Sequence, residues 1–346
     1  MSIENLARSA AVFALPLRSR FRNTDVRFGA LFEGPSGWAE FAPFPEYSDD
    51  VAGRWLAGAL EQAFGIWPTA VRSQVPVNAI VPIVDLTTTR SLVNEALRLG
   101  LTTIKVKVGG SDSSFNDDVA RIAAIREELD SNDVAGSIRI DVNGSWTPEQ
   151  AIEQLQILNE VARGLEYVEQ PCATFAELKE LKHAMSAWDH PVRIAIDEGI
   201  RQAESVDVPA IRAVADVVVI KSLPLGGVHR SLQIIDQIGL PAVVSGSLDT
   251  SVGLTSGVQL AASIPNLAGA CGLGTGVLFA RDIVASPLVP VGGSLSTGRV
   301  VPDSDLLKTA EPTAEIAADW QGRIVRAWNA SAKELVSDEV REAVVA

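Results

Sequence analysis

The sequence predicts an α/β protein, a parallel β/α barrel joined to a small α+β module, and three observations carry that expectation. Five ionisable residues, Lys107, Asp141, Glu169, Asp197 and Lys221, close the apolar runs TIKVK (103–107), SIRID (137–141), LEYVE (165–169), RIAID (193–197) and VVVIK (217–221). They follow one another at intervals of 34, 28, 28 and 24 residues, and the stretches between them have helical spacing, so each interval is one strand-plus-helix unit. Hydrophobic residues make up 47% of the 346 residues, with a mean hydropathy of +0.19, which is ample for a barrel-sized core and a smaller companion.

Taken in order, residues 10–42 alternate apolar and polar around a GPSG turn (34–37), as an antiparallel sheet does, and 49–66 have helical spacing behind paired aspartates. VPVNAI (75–80) supplies a first barrel strand after the break at Trp67 and Pro68. The five charged runs become the second to sixth strands, PAVVSG (241–246) the seventh and AGACGL (268–273) the eighth, which closes a barrel. The intervening helices support this phasing independently of the charges. Thr147-Pro148-Glu149-Gln150 places an N-cap hydroxyl, a proline at the first helical position and a capping-box glutamine, and Thr174 to Glu177 repeats the box. Asp117 to Leu129 and Val228 to Ile238 have the three-and-four spacing of helices packed on a barrel. Beyond about 285 the unit length is lost, GGSLSTGRVVPD (292–303) reads as turns and a strand, and the tail is expected to rejoin the amino-terminal module.

The bulk numbers exclude several classes. A net charge of −14, with pI near 4.7 and dispersed positive charges, leaves no footprint for nucleic acid. Cys172 and Cys271 are too few and too isolated for a disulfide framework or a thiolate metal site, so a cytoplasmic location is expected. The apolar patch AAVFALPL (10–17) lacks a basic leader, contains Pro16 and runs into RSRFR (18–22), so it reads as a strand and not as a signal peptide; no stretch suggests a membrane span. No obligatory protein partner is indicated.

In a parallel barrel the carboxyl ends of the strands converge on one mouth, so the three carboxylates and two lysines would face a common point. Asp141, Glu169 and Asp197, with no histidine or cysteine among them, suit a hard divalent cation such as Mg²⁺, with Mn²⁺ as a substitute. The expected partner is a small-molecule carboxylate. A metal-held carboxylate can accept the second charge that develops when its α-proton leaves, and a lysine beside a cation and a second lysine is poised to take that proton. One such charge alone is ordinarily a helix cap or a surface residue; five in phase with successive strands are a pattern. Lys105 shares a face with Lys107, and Lys107, nearer the strand end, is the expected base with Lys105 as its electrostatic support. Asn143 and Glu198 are read either as hydrogen-bonding supports for these groups or as plain caps.

Other signals are less specific. GLGTG (272–276) lacks the order of a dinucleotide fingerprint, so Gly272 and Leu273 either bring backbone amides to a substrate carboxylate or form a tight turn. Ser245 and Ser247 in SGSLDTS (245–251) offer a further polar contact. Arg20 and Arg22, in an expected loop of the small module, either reach over the mouth or are solvated charges. His183, His190 and His229 are scattered and expected at the surface.

At these residues the chain resembles the enolase superfamily, in its muconate lactonizing enzyme subgroup: Lys105-Val106-Lys107, Asp141 in DVNGSW, Glu169 in EQP, Asp197 in DEGI and Lys221 in IKSLPLGG match that family's pattern. The resemblance implies a TIM-like (β/α)7β barrel spanning 75–285. It also implies an α+β capping domain built from 1–74 and completed by a C-terminal segment, 286–346. GWAEFAPFPEY (37–47), YVEQPCAT (167–174), SGSLDTSVG (245–253) and ACGLGTG (270–276) are similar to the o-succinylbenzoate synthase family of actinobacteria. That likeness implies loss of water from the succinyl-bearing cyclohexadiene carboxylate SHCHC in menaquinone biosynthesis. Lys107 would remove the α-proton and then assist departure of hydroxide, Mg²⁺ would hold the enediolate, and Lys221 would stabilise it from across the ring. The same ligand set serves racemases of N-acylated amino acids and epimerases of dipeptides, which would use the two lysines as opposed bases. A catalytically silent binding scaffold is the reading outside enzymology.

Overall fold

The computed structural model describes residues 1–345 apart from 22, 23, 112 and 204, with the backbone alone at 19–21. The amino-terminal module is an antiparallel sheet of β1 (Ala11–Phe21), β2 (Thr24–Gly34) and β3 (Gly37–Phe41), packed on a helix, Asp49–Phe64, that Ser48 caps through the Val51 amide. Gly37 sits at φ 118°, a conformation a side chain would resist, and so forms the hinge between β2 and β3. Residue 20 belongs to β1 and not to a loop as expected; the Arg20 side chain and the whole of Arg22 lie outside the described residues.

The expected first barrel strand divides in two. β4 (Gln74–Pro76) pairs antiparallel with a segment near the end of the chain, and the parallel sheet begins only with β5 (Ala79–Val81). From there β6 (Thr103–Lys107), β7 (Ser137–Asp141), β8 (Leu165–Glu169), β9 (Ile194–Ile196), β10 (Val217–Ile220) and β11 (Ala242–Val244) follow in order, every neighbour parallel. The eighth position is not the regular strand expected at 268–273. Residues 267–272 instead bridge both edges of the sheet: Leu267 and Gly272 meet β11 and Ser245, while Cys271 meets Val77. Gly272 donates to the Val244 carbonyl at 2.7 Å and Cys271 to that of Pro76 at 2.7 Å, so the barrel closes through a few bonds on each side. Glycines at 269 and 272 weaken a regular ladder here, and Gly269 at φ 146° turns the chain. Arg139 reinforces the closure from inside, donating to the Ala270 carbonyl at 2.6 Å and to Asn78 Oδ1 at 3.2 Å.

Helices Leu86–Arg98, Phe115–Ser131, Pro148–Ala162, Phe175–Met185, Val228–Ile238 and Ser251–Ser263 flank the barrel. Both capping boxes read from the sequence are formed, at Thr147 with Gln150 and at Thr174 with Glu177. The carboxyl-terminal chain divides its contacts. β12 (Ser294–Ser296) is the strand paired with β4 at the barrel's foot, whereas Trp320, Ile324, Trp328 and Val340 share a buried core with Leu6, Phe41 and Leu56 of the amino-terminal module. The residues at 292–293 are glycines at positive φ, as the expected turn requires.

Polar contacts seat the small module on the barrel mouth. Glu61, on the Asp49–Phe64 helix, accepts the Val228 and His229 amides and so caps the helix after β10. Glu40 on β3 accepts from the Thr250 and Gly253 amides, which caps the helix after β11. Arg27 on β2 donates to the Leu248 carbonyl at 3.0 Å.

Candidate active site

Strand register builds the charged cluster. Lys107 is the direct neighbour of Asp141 across β6 and β7, and Asp141 of Glu169 across β7 and β8, so these three form one row with a spacing near ~4.8 Å. Lys105, two residues earlier on the same face, lies one layer deeper, and its ammonium donates to Glu169 at 2.6 Å and pairs with Asp141 at 2.8 Å. Asp197 follows β9 and meets Lys221, which follows β10, at 2.5 Å. All five residues that end the charged runs are thus brought to the mouth. Lys107 and Lys221 border a cavity of about 850 Å³ from different sides, together with Asp141 and Asp197.

Burial and charge divide the acids. Burial raises Asp141 towards neutrality, but Lys105 and Lys107 outweigh it and hold the carboxyl far below its usual range. Asp197 is likewise lowered, because Lys221 and Arg201 overcome the effect of burial. Glu169 goes the other way: burial first and the Asp141 charge second push it well above an ordinary carboxylate. Lys105 is held protonated, since burial disfavours its charge but Asp141 and Glu169 more than compensate.

Glu169 Oε2 is buried and has no hydrogen-bond partner among the described residues. An orphaned carboxylate oxygen beside two further carboxylates, with oxygen donors only, fits a hard divalent cation in a way a purely structural ion-pair network does not.

Asn143 and Glu198, read either as supports or as caps, lie beside the lysine and each other. Asn143 Oδ1 accepts from Lys107 at 2.7 Å, and its amide nitrogen donates to Glu198 at 3.2 Å. Asn143 sits at φ 53°, a left-handed position that asparagine tolerates, which turns its side chain back towards Lys107. Ser245, Ser247 and Gly272 border the cavity; Leu273 is not among its lining residues, and its side chain is fully buried in the barrel core. Sequence reading missed Arg201, which donates to Asp197 at 3.0 Å, to Glu198 at 2.6 Å and to Tyr47 of the small module at 3.0 Å. Its signal was present as a three-and-four spacing from the two acids in DEGIR, readable only once a helix is known to start at the strand end.

Comparison with known proteins matches this geometry to a family. Residues 88–303 match the enolase C-terminal domain-like family and residues 12–63 the enolase N-terminal domain-like family. The chain belongs to the enolase superfamily. Its sequence is 45% identical over 315 residues to an o-succinylbenzoate synthase of Thermobifida fusca, covering 91% of this chain and 94% of that one. It is 43% identical to an o-succinylbenzoate synthase of Mycobacterium marinum, covering 90% and 91%. Among solved structures, muconate lactonizing enzyme from Pseudomonas putida superposes with a TM-score of 0.70 at 17% identity, covering 88% of this chain and 98% of that one. The L-Ala-D/L-Glu epimerase of Bacillus subtilis gives 0.69 at 20%, covering 85% and 96%. At those identities the two structures bear on the fold alone, and they bear out the barrel with its capping module. Among the described residues no helix is long and apolar enough to cross a membrane.

Proposed function

We propose that the chain is an o-succinylbenzoate synthase, a hydro-lyase that removes water from SHCHC to give o-succinylbenzoate. It would work in the cytoplasm on this small carboxylate, with Mg²⁺ as its cation and Mn²⁺ as a substitute. The likeness to o-succinylbenzoate synthases, 45% and 43% identical over about nine-tenths of the chain, carries the reading, and the two lysines Lys107 and Lys221 bordering one cavity with the buried carboxylates Asp141 and Asp197 support the chemistry. The relatives named above supply the substrate class.

Asp141, Glu169 and Asp197 are the residues that would hold the cation. When bound, it supplies neutralisation of the charge that develops on the substrate carboxylate. Lys107 Nζ takes the proton from the α-carbon; Asn143 and Asp141, its present partners at 2.7 and 2.6 Å, orient it. The carbon–hydrogen electron pair becomes a ring double bond, the bond to the hydroxyl group breaks, and the proton now on Lys107 passes to the departing hydroxide, so that water leaves and the ring becomes aromatic. Lys221, anchored on Asp197, remains an ammonium and places a positive charge against the developing anion.

The test follows the diene absorbance of SHCHC with the purified protein and Mg²⁺, before and after chelator. Metal-dependent loss of the diene is expected. No loss, together with exchange of the α-hydrogen of N-acylamino acids or dipeptides, would replace the reading with a racemase using both lysines as bases.

A further inference from the structure

Asp197 stands directly before the helical turn Glu198–Arg201, where an aspartate ordinarily folds back and accepts one of the turn's first amides. Asp85, Asp207 and Asp303 do so at the starts of their helices. Asp197 makes no such bond. Its backbone is helical, at ψ −70° where Asp85 is extended at 166°. Both of its carboxylate oxygens are committed elsewhere, Oδ1 to Arg201 at 3.0 Å and Oδ2 to Lys221.

The amide that Asp197 leaves open is taken by Gln170, the residue after Glu169. Gln170 Oε1 accepts the Gly199 amide at 3.2 Å, reaching from the end of β8 to the turn after β9, while Nε2 donates to the Cys172 carbonyl at 3.0 Å. Its main chain is engaged as well: the N–H donates to the Ala195 carbonyl at 2.8 Å, and the carbonyl accepts the Gly144 amide at 2.7 Å. These bonds hold Gln170, 1% exposed, at φ 41°, a left-handed conformation that residues with a side chain resist. Glycine would meet the same backbone demand without resistance, so what the glutamine adds at this position is its amide.

Resting on the reading of Asp141, Glu169 and Asp197 as cation ligands, we propose that Gln170 is a positioning residue for Asp197. It caps the Glu198–Arg201 turn in the aspartate's stead and so keeps the Asp197 carboxylate turned to the mouth. Without that acceptor the Gly199 amide is left unpaired, and the residue placed by sequence to satisfy it is Asp197, whose carboxylate then turns from Lys221 and the cation to its own helix. A neutral amide suits the task, because a carboxylate at 170 would set one more negative charge beside Glu169.

The experiment measures Mg²⁺ affinity by calorimetry, with thermal unfolding of the metal-free protein alongside, for the unaltered chain, Gln170→Gly and Gln170→Met. The two variants disturb the fold in opposite ways: glycine eases the backbone and empties the side chain's space, whereas methionine fills that space and keeps the strain. Both lose the amide, and each is expected to weaken Mg²⁺ by about ten-fold, the scale of one hydrogen bond. In an Asp197→Ala background the same two changes are expected to cost no further affinity, because the carboxylate they misplace is gone. A further ten-fold loss in that background would mark a general structural role and overturn the proposal, as would unchanged affinity in either single variant that folds. An unaltered chain that binds no Mg²⁺ overturns the cation reading on which the proposal rests.

Discussion

Replacing Lys107 with methionine separates catalysis from architecture. The ammonium is 20% exposed and has two partners, Asp141 at 2.6 Å and Asn143 at 2.7 Å. Asp141 keeps Lys105 at 2.8 Å after the change, so no buried carboxylate is left without a cation, and methionine retains most of the packing of the lysine stem. The stability cost is then about 1–2 kcal/mol, the scale of one hydrogen bond to a charged group. The loss of a general base is larger, about a hundred- to ten-thousand-fold in kcat, or roughly 3–5 kcal/mol in the barrier. Dehydration followed by diene absorbance, thermal unfolding and Mg²⁺ titration by calorimetry should therefore show near-complete loss of turnover, a shift of a few degrees and an intact metal isotherm. Turnover within a few-fold of the unaltered protein would refute the assignment of Lys107 as the base.

Three further outcomes follow from the same coordinates. Lys105→Met removes the deepest ammonium, 8% exposed, and leaves Glu169 without its cation, so the metal-free protein should lose about 3–5 kcal/mol in chemical denaturation and regain most of it with saturating Mg²⁺. Arg201→Met leaves Asp197 with Lys221 and Glu198 with Asn143 but removes the guanidinium's link to Tyr47, and should weaken Mg²⁺ binding while raising the KM for SHCHC, both read from titrations against the unaltered chain. Glu40 is pushed up to about 8 by burial and by Asp249, while Thr250 and Arg27 pull it down. A carboxyl raised on folding contributes stability that is whole below its unfolded pKa near 4.5 and is lost as pH rises through 8. Unfolding free energy should accordingly fall between those values by an amount of order 5 kcal/mol at most, and Glu40→Gln should flatten the slope; a parallel slope in the variant would assign the pH dependence elsewhere.

Much of the charged cluster was legible because a barrel strand buried on both faces leaves little room for charge. Against runs such as VVVI, buried throughout, a terminal lysine stands out, and its recurrence once per unit converts five ordinary residues into a cluster. Helix starts at Thr147 and Thr174 were equally readable, since a capping box is a local hydrogen-bond pattern that needs no tertiary partner. The eighth strand was misjudged for the opposite reason. Apolar content at 268–273 promised a strand, but the ladder there consists of single bridges to Val77 and Ser245, held together by Arg139 reaching from the strand that ends in Asp141. Nothing local to 268–273 encodes that guanidinium.

The residues that escaped sequence reading share a property: their partners lie across the seam between the two units. Arg201 meets Tyr47, Glu61 meets Val228 and Glu40 meets Thr250. Such pairs are separated by well over a hundred positions and obey no period, so no window of sequence contains both halves. Catalysis and specificity are in this sense written differently in the chain. Residues that handle the proton are tied to strand ends, where a shift of one position would turn them away from the mouth. The separate module and the irregular eighth segment lie where the chain can change without disturbing the strand register. A barrel of this kind can therefore keep its lysines and carboxylates while changing substrate, and the same periodic charges fit both a dehydration and an epimerisation until the seam residues are known.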